Sequence, residues 1–540
     1  MSVPSAVPPR PAPPRPLPLR PVPGPRGLPG LGNLPAFGKD PLAFLVRLRD
    51  DFGDAVTWSL GPMRGLFLSH PQHIAELLTT REQSFDVLDI LWAFRQVTGQ
   101  SVLLGQGAEW RRKRGLVQPT VRPRQVRPYA ATMVECARLA AERWRERERT
   151  DGHEAVQIDV HEEMALITQQ IVLRTLFGND LGDRTRALGQ TMTVAEKVVS
   201  DELRGINLFL PGWVPTPGRR RLLAAVATID AEVHRLISAR HAGQVRAAAG
   251  LGRAGPNGQA RGADADDMSQ QRDGRPPGRS PGEFPPGAVA GDGMSQQREA
   301  LPPGAVAGDG RACAGCGDRD DLLSRLLAAR DGAGRPLSAE EVRDEAVTLW
   351  AAGHETTSTA LTWAWCMLGQ SPKVRALLDD ELARVLGGRL PTIDDYDRLT
   401  WTQQIVKETL RLYPPAWAIA TAAREGATLG GSRIPAGTTV WCSQWSTHRD
   451  PRWFPDPGVF RPERWGPDAP HVIPDHAWFP FGGGQRTCLG ARFAQVEAVL
   501  LLATLAQSFH LDLAPGPVTP KAGLLLQPAT PLRARVRRAG

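Results

Sequence analysis

A glycine-rich loop that closes on a cysteine constrains this chain more than any other feature. It reads Phe481-Gly-Gly-Gly-Gln-Arg-Thr-Cys-Leu-Gly490 and runs directly into an apolar, alanine-rich stretch from Ala491. Glycines at 482, 483, 484 and 490 remove the β-carbons that would stop the backbone turning tightly against a flat group. The Cys488 thiol falls just before a helix N-terminus and two residues after Arg486, where the dipole and a fixed cation both favour thiolate. Such a thiolate pushes electron density onto a macrocyclic iron and favours O–O cleavage. The competing reading is one more buried core cysteine, which is what most free cysteines are.

Three further motifs follow a fixed order along the chain: Ala352-Gly-His-Glu-Thr-Thr357, Glu408-Thr-Leu-Arg411 and Phe460-Arg-Pro-Glu-Arg-Trp465. With the cysteine loop they make the chain resemble the cytochrome P-450 family from about residue 37 to 530, apart from one insert. The resemblance implies a mainly α fold, with a long central helix over haem and a small β-rich subdomain. It makes Cys488 the proximal ligand of the haem iron and places Phe481, Gly484, Arg486 and Gly490 on the fixed positions of the cofactor loop. It assigns Glu355 and Thr356 to proton delivery during oxygen activation, and Trp110 and Arg114 to a haem propionate. Glu408, Arg411 and Arg464 become a structural network rather than a catalytic one.

The residues support these roles on physical grounds. Thr has poor propensity in a helix interior, so Thr356 needs a reason to be there; its hydroxyl can bond a carbonyl one turn back and loosen the groove. A buried polar pair that only packs helices is the plainer alternative, and His354 has no assigned role. Glu408 and Arg411 lie three apart on one helical face and can share a charge-assisted network with Arg464. Trp110 and Arg114 lie four apart on one face. Their neighbours Arg111, Arg112 and Lys113 suit either a basic face for an acidic electron carrier or a solvated charge run. Many family members carry a propionate-pairing arginine where this chain has Thr421, which leaves Arg424 as the nearby candidate.

Length alone, at 540 residues, suggests two or three domains. Composition instead gives one large body: residues 1 to 36 form a Pro- and Arg-rich arm expected to be disordered, and 37 to 540 form the haem domain. A low-complexity insert interrupts that domain at about 243 to 318. The insert repeats Met-Ser-Gln-Gln-Arg at 268 to 272 and 294 to 298 and ends near Cys313-Ala-Gly-Cys316. No second pair or nearby His completes that Cys pair as a zinc site. Ser338 and Glu341 form a capping-box pattern opening the central helix. Short strands are expected at 55 to 60 and 65 to 69, helix through most of 71 to 240, strands and turns from 424 to 440, and a last helix over 491 to 505.

The net charge of +8 is matched by four arginines in residues 1 to 36 and four in the tail, Arg533, Arg535, Arg537 and Arg538. The body is then near neutral and offers no basic stripe for nucleic acid. Those tails allow at most a peripheral membrane contact. No apolar run reaches the roughly 18 residues of a membrane span, and no signal peptide is evident, so a cytoplasmic protein is expected.

The expected function is haem-dependent monooxygenation, inserting one atom of dioxygen into a lipophilic substrate. The cofactor that the resemblance implies is haem b. Neither a nucleotide fingerprint nor an iron–sulfur cysteine cluster appears, so no bound flavin or cluster is expected and electrons come from a separate ferredoxin and reductase. A haem-thiolate isomerase or peroxygenase, or a non-catalytic haem sensor, is the alternative, and the Glu355-Thr356 pair argues against both. Apolar segments at 87 to 94, 207 to 214, 416 to 420 and 524 to 526 are expected to border the pocket. Local likeness around Pro414 to Trp417 to carotenoid-ring hydroxylases favours a terpenoid over a fatty acid.

Overall fold

A computed structural model describes residues 22–88, 92–150, 156–178, 184–204, 210, 212–248, 321–430 and 432–539. By its contacts the chain divides into a body, 1–241 with 318–540, and a second unit, 242–317. Of the second unit only the end of a helix is described. The repeat and the Cys313/Cys316 pair lie outside the described residues.

The body is mainly helical. The helices that build the site are α1 (Pro71–Ser84), α2 (Gly107–Val117), α3 (Ala130–Thr150), α4 (Val160–Phe177), α5 (Arg184–Arg204), α6 (Pro217–Ala248), α7 (Ala339–Gln370), α8 (Thr400–Leu412) and α9 (Ala491–Ala506). The central helix α7 starts on the expected capping box: the Ser338 hydroxyl accepts from Glu341 N–H at 3.1 Å, and the Glu341 carboxylate accepts from Ser338 N–H at 2.8 Å. Its flanks are buried from Val342 to Trp350 and from Thr357 to Leu368, and it packs on α4, α8 and α9. Burying both flanks of so long a helix accounts for its lack of a polar stripe.

A five-stranded sheet contains β1 (Ala55–Leu60), β2 (Met63–Leu68), β3 (Phe85–Val87), β4 (Ile419–Ala423) and β5 (Thr439–Cys442), in the order β1-β2-β5-β4-β3. Two of these strands correct the sequence reading. Phe85–Val87 interrupts the expected helical run and pairs antiparallel with β4, Val87 opposite Thr421. Ile419–Ala423, an inner strand between β3 and β5, starts before the strands expected from 424. Both are too short for a period-2 pattern to declare itself, and their neighbours in the sheet supply the pairing.

The expected disordered arm is corrected from residue 22 on, and residues 1 to 21 lie outside the described residues. Residues 22 to 36 are ordered against β1: Pro23 O accepts from Thr57 N–H at 2.9 Å, and Asn33 N–H donates to Ser59 O at 2.7 Å. A β-carbon on Gly24 would lie 1.9 Å from Thr57 O, so only glycine allows this approach. At the other end Arg533–Arg538 is no loose basic tail but the middle strand of a three-stranded sheet with Gln157–Asp159 and Phe509–Leu513. Leu532, Ala534 and Val536 point inward, while Arg537 and Arg538 pair outward with Asp512 and Glu148. The helix α6 runs to Ala248, past the expected start of the insert. Among the described residues no helix is long and apolar enough to cross a membrane.

Candidate functional site

The cysteine loop is held by backbone bonds that its glycines permit. Cys488 N–H donates to Phe481 O at 2.9 Å and Thr487 N–H to Gly484 O at 3.1 Å. Gly484 has φ +63, and a β-carbon there would lie 2.1 Å from Leu78 O on α1. The loop is thus pinned against α1 with Cys488 at its crest, two residues before the Gly490 N-cap of α9. Of the four described cysteines, Cys136, Cys366 and Cys442 are buried and Cys488 alone is accessible. Protein nonetheless surrounds it densely, so that burial pushes the thiol up, opposed by the Gly490 N–H and the charge of Arg114. Accessible surface in dense surroundings means that the thiol opens onto interior space.

This corrects the expected part of Arg486. Its guanidinium donates to Gly105 O at 2.7 Å and lies 4.2 Å over the Trp110 ring, a cation–π contact. The cation that reaches Cys488 is instead Arg114, which donates to Thr487 O at 2.9 Å. Trp110 is corrected too: its indole N–H is committed to Val102 O at 3.0 Å, so it offers the loop a ring face. Glu345 of α7 completes this wall by accepting from Val102 N–H at 2.8 Å, and burial pushes it up to about 8.

The basic run beside Trp110 turns inward. Arg112 pairs with Glu109 and with Glu341 of α7. Lys113 is buried and donates to Gln100 O at 2.6 Å. Two of the three cations expected on a docking face therefore brace α2 against α7. Arg424 is held by Asp86 and Gln83 O, while the Thr421 hydroxyl is buried on Val440 O.

On α7 the stretch 351 to 356 is accessible apart from His354, inside a helix buried on both sides. Thr356 donates its hydroxyl hydrogen to Ala352 O at 2.7 Å, the expected bond one turn back. Glu355 accepts from the Gln527 amide at 2.6 Å. Burial pushes Glu355 up to about 8, reinforced by the Glu196 carboxylate and opposed by His354 and Gln527. Burial lowers His354, but the charge and hydrogen bond of Glu196 outweigh it and hold the imidazole up at about 9.

A family model for Cytochrome P450 matches residues 22–247 and 296–534. The chain belongs to the cytochrome P450 family. It is 30% identical over 513 residues to cyclooctatin synthase of Streptomyces melanosporofaciens, covering 94% of each chain. It is 28% identical to cyclooctat-9-en-7-ol 5-monooxygenase of the same organism, over 91% of this chain and 90% of that one. Pentalenene oxygenase of Streptomyces avermitilis is 28% identical over 91% of each. This P450 is a haem-iron monooxygenase.

The donor set of this P450 fits haem. Among the described residues no three His, Cys, Asp or Glu converge on a metal site, and a single accessible thiol suits an iron that brings its own macrocycle. On the packed helices α7 and α9 residues 351 to 353, 355, 356 and 491 to 495 are accessible, and so is the loop 481 to 490 that leads into α9. A flat group between them would cover both.

The Glu408 network of the P450 is complete. Arg411 Nε and Nη2 donate to its two oxygens at 2.9 and 2.8 Å, and Arg464 Nε donates at 3.3 Å. Sequence reasoning missed two more donors, Trp465 Nε1 at 3.0 Å and Arg461 N–H at 2.9 Å. It also missed Glu196, His161 and Gln527 around Glu355. The amide of Gln527 lies 3.4 Å from His161 Nε2. Leu526, in the expected pocket segment 524 to 526, donates its N–H to Pro415 O at 3.0 Å, one residue before the expected segment 416 to 420. The segments at 87 to 94 and 207 to 214 fall partly outside the described residues.

Proposed function

We propose that this P450 hydroxylates a cyclic terpenoid, holding the iron of haem b through Cys488 and receiving electrons from a separate ferredoxin and reductase. The observation that carries this reading is the one accessible thiol among the described cysteines, raised on a glycine loop that leads into α9, a helix packed on α7. The bound haem supplies dioxygen activation and oxygen-atom transfer, so substrate, dioxygen, two electrons and two protons give hydroxylated product and water.

The chain's own residues manage protons and water. Glu355, protonated below about 8, stores a proton at its carboxyl. Thr356, with its hydrogen turned to Ala352 O, keeps its lone pairs toward the accessible stretch and orients the proton that Glu355 supplies. Arg114 braces the loop from α2, Arg486 reaches out of the loop to Gly105 O and the Trp110 ring that forms its wall, and Phe481, Gly484 and Gly490 set its path. The terpenoid class comes from the relatives, and a carotenoid ring is the larger member of that class suggested by residues 414 to 417.

Two measurements test the reading. Cys488→Ser should abolish the red-shifted Soret band of the ferrous carbonyl complex, and a retained band would rule out Cys488 as ligand. Titrating cyclic terpenoids, a carotenoid and a long-chain fatty acid while following the haem spin state should rank a terpenoid first. Fatty acid ranking first would overturn the substrate class, and product formed only with peroxide would replace the monooxygenase scheme by a peroxygenase one.

A further inference from the structure

Glu196 of α5 and His354 of α7 are drawn against Glu355 by the fold, yet the acid and alcohol scheme gives them nothing to do. Their hydrogen bonds are restrictive. His354 Nδ1 faces Trp350 O at 3.2 Å and must donate to it, because a carbonyl only accepts. That leaves Nε2, 3.4 Å from Glu196 Oε2, to meet a carboxylate either with a lone pair or with a second N–H. Only the second is attractive, so the ring is an imidazolium. His354 is 2% exposed, which makes an unpaired charge there costly and Glu196 its counter-ion.

The other side of Glu196 is equally constrained. Its Oε1 is buried and meets no donor among the described groups, while its carboxyl is in hydrogen-bond contact with that of Glu355. Two carboxylates cannot donate to each other, so contact requires one proton between them. Gln527 occupies Glu355 Oε1 from the hairpin 520 to 528, leaving Oε2 for that proton. One imidazolium, one carboxylate and one carboxylic acid together carry no net charge, the state that burial favours.

We propose that Glu196 and His354 are positioning residues that keep Glu355 loaded, Glu196 sharing its proton and His354 neutralising Glu196. The proposal rests on the reading of Glu355 as the proton store. Other titratable groups face the trio: His161 and Asp159 at the start of α4, and Glu497 of α9, which burial holds up at about 8 beside Thr357 and His354. Burial lowers His161. None of them touches both His354 and Glu355 as Glu196 does.

Glu196→Gln keeps the shape of the side chain and removes its charge and shared proton; Glu196→Asp keeps the acid. On the haem-loaded ferrous carbonyl protein, which is diamagnetic, the His354 ring can be followed by nitrogen NMR, assigned with His354→Asn. The Glu355 carboxylic acid can be followed by its infrared C=O band, assigned with Glu355→Gln. In the unsubstituted protein the imidazolium should persist to about pH 9 and the acid band to about pH 8. In Glu196→Gln both transitions should move at least about one pH unit lower, and Glu196→Asp should restore them. Unmoved transitions in Glu196→Gln overturn the proposal. Product per electron should fall severalfold in Glu196→Gln at neutral pH and recover in mild acid, where Glu355 is protonated again. If both transitions shift while product per electron does not change at any pH, the dyad stands and the proton-store reading of Glu355 is the one that falls.

Discussion

Two clusters of buried charge lie on helices that touch each other, and they are built on opposite plans. Around Glu408 on α8, four groups donate to two carboxylate oxygens, and Arg411 finds further acceptors in His448 O, Pro457 O and Val459 O. Glu408 and Arg411 are both 0% exposed with their hydrogen bonds made. Around Glu355 on α7, two acids crowd one imidazole and one oxygen lacks a donor; burial holds Glu355 above its ordinary value, while the Glu196 carboxylate, against burial, holds His354 above its own. A closed network fixes where α8 meets the segment 456 to 465 and offers no proton to spare. An open one keeps a proton that can leave, which is the signature expected of a working site.

The largest effect should come from breaking the closed network. Glu408→Ala leaves the Arg411 guanidinium, 0% exposed, without its counter-charge, a loss of about 3–5 kcal/mol. Haem-loaded protein should not accumulate, as read by the ferrous carbonyl band and by thermal unfolding. Arg464→Lys should be milder, because Arg464 reaches Glu408 through one 3.3 Å bond. Equal stability of Glu408→Ala and the unsubstituted protein would show that this cluster is not structural.

The open cluster should respond in function and hardly in stability. Thr356→Ala removes only a bond to the helix's own carbonyl, worth about 1 kcal/mol or less. Product per electron should nevertheless drop about tenfold, with the balance appearing as peroxide. An unchanged ratio would mean that Thr356 only packs the helix.

Glu355 should also mark the pH dependence of stability. Its folded value of about 8 lies above the ordinary 4.5, so the folded protein keeps a proton that the unfolded chain has lost across that window. Its stabilising contribution is therefore full at the acid end and is lost as pH rises through about 8. Glu355→Gln should flatten the fall in unfolding free energy with pH by at most about 1.4 kcal/mol per pH unit, less because Glu355 is partly accessible. Parallel curves for the two proteins would show that Glu355 is ionised when folded.

What the sequence made legible was local. The Ser338/Glu341 box, the Glu408/Arg411 spacing and the Phe481–Gly490 loop each concern residues a turn or a few positions apart, where helix and turn geometry decide contacts. What it hid was long-range pairing. Glu355 meets Gln527 from 172 positions away, and Arg424 is captured by Asp86 from 338 positions away. Arg112 and Lys113 looked like a surface run because nothing nearby in sequence announced Glu341. Short strands such as Phe85–Val87 depend in the same way on partners that only the folded sheet supplies.

The smallest effect separates a completed network from a merely crowded one. Trp465 Nε1 donates to Glu408 Oε2, but Arg411 Nε donates to the same oxygen at 2.9 Å. Trp465→Phe therefore leaves no carboxylate oxygen of Glu408 without a donor. It should cost about 1.5 kcal/mol, at the low end for a bond to a charged group, along with part of the ring contact to Trp478 at 5.0 Å. Thermal unfolding should fall slightly, with haem content and product per electron unchanged. A loss as large as that of Glu408→Ala would mean that the indole, not the guanidinium, neutralises the acid, and the contrast between the two clusters would have to be redrawn around Trp465.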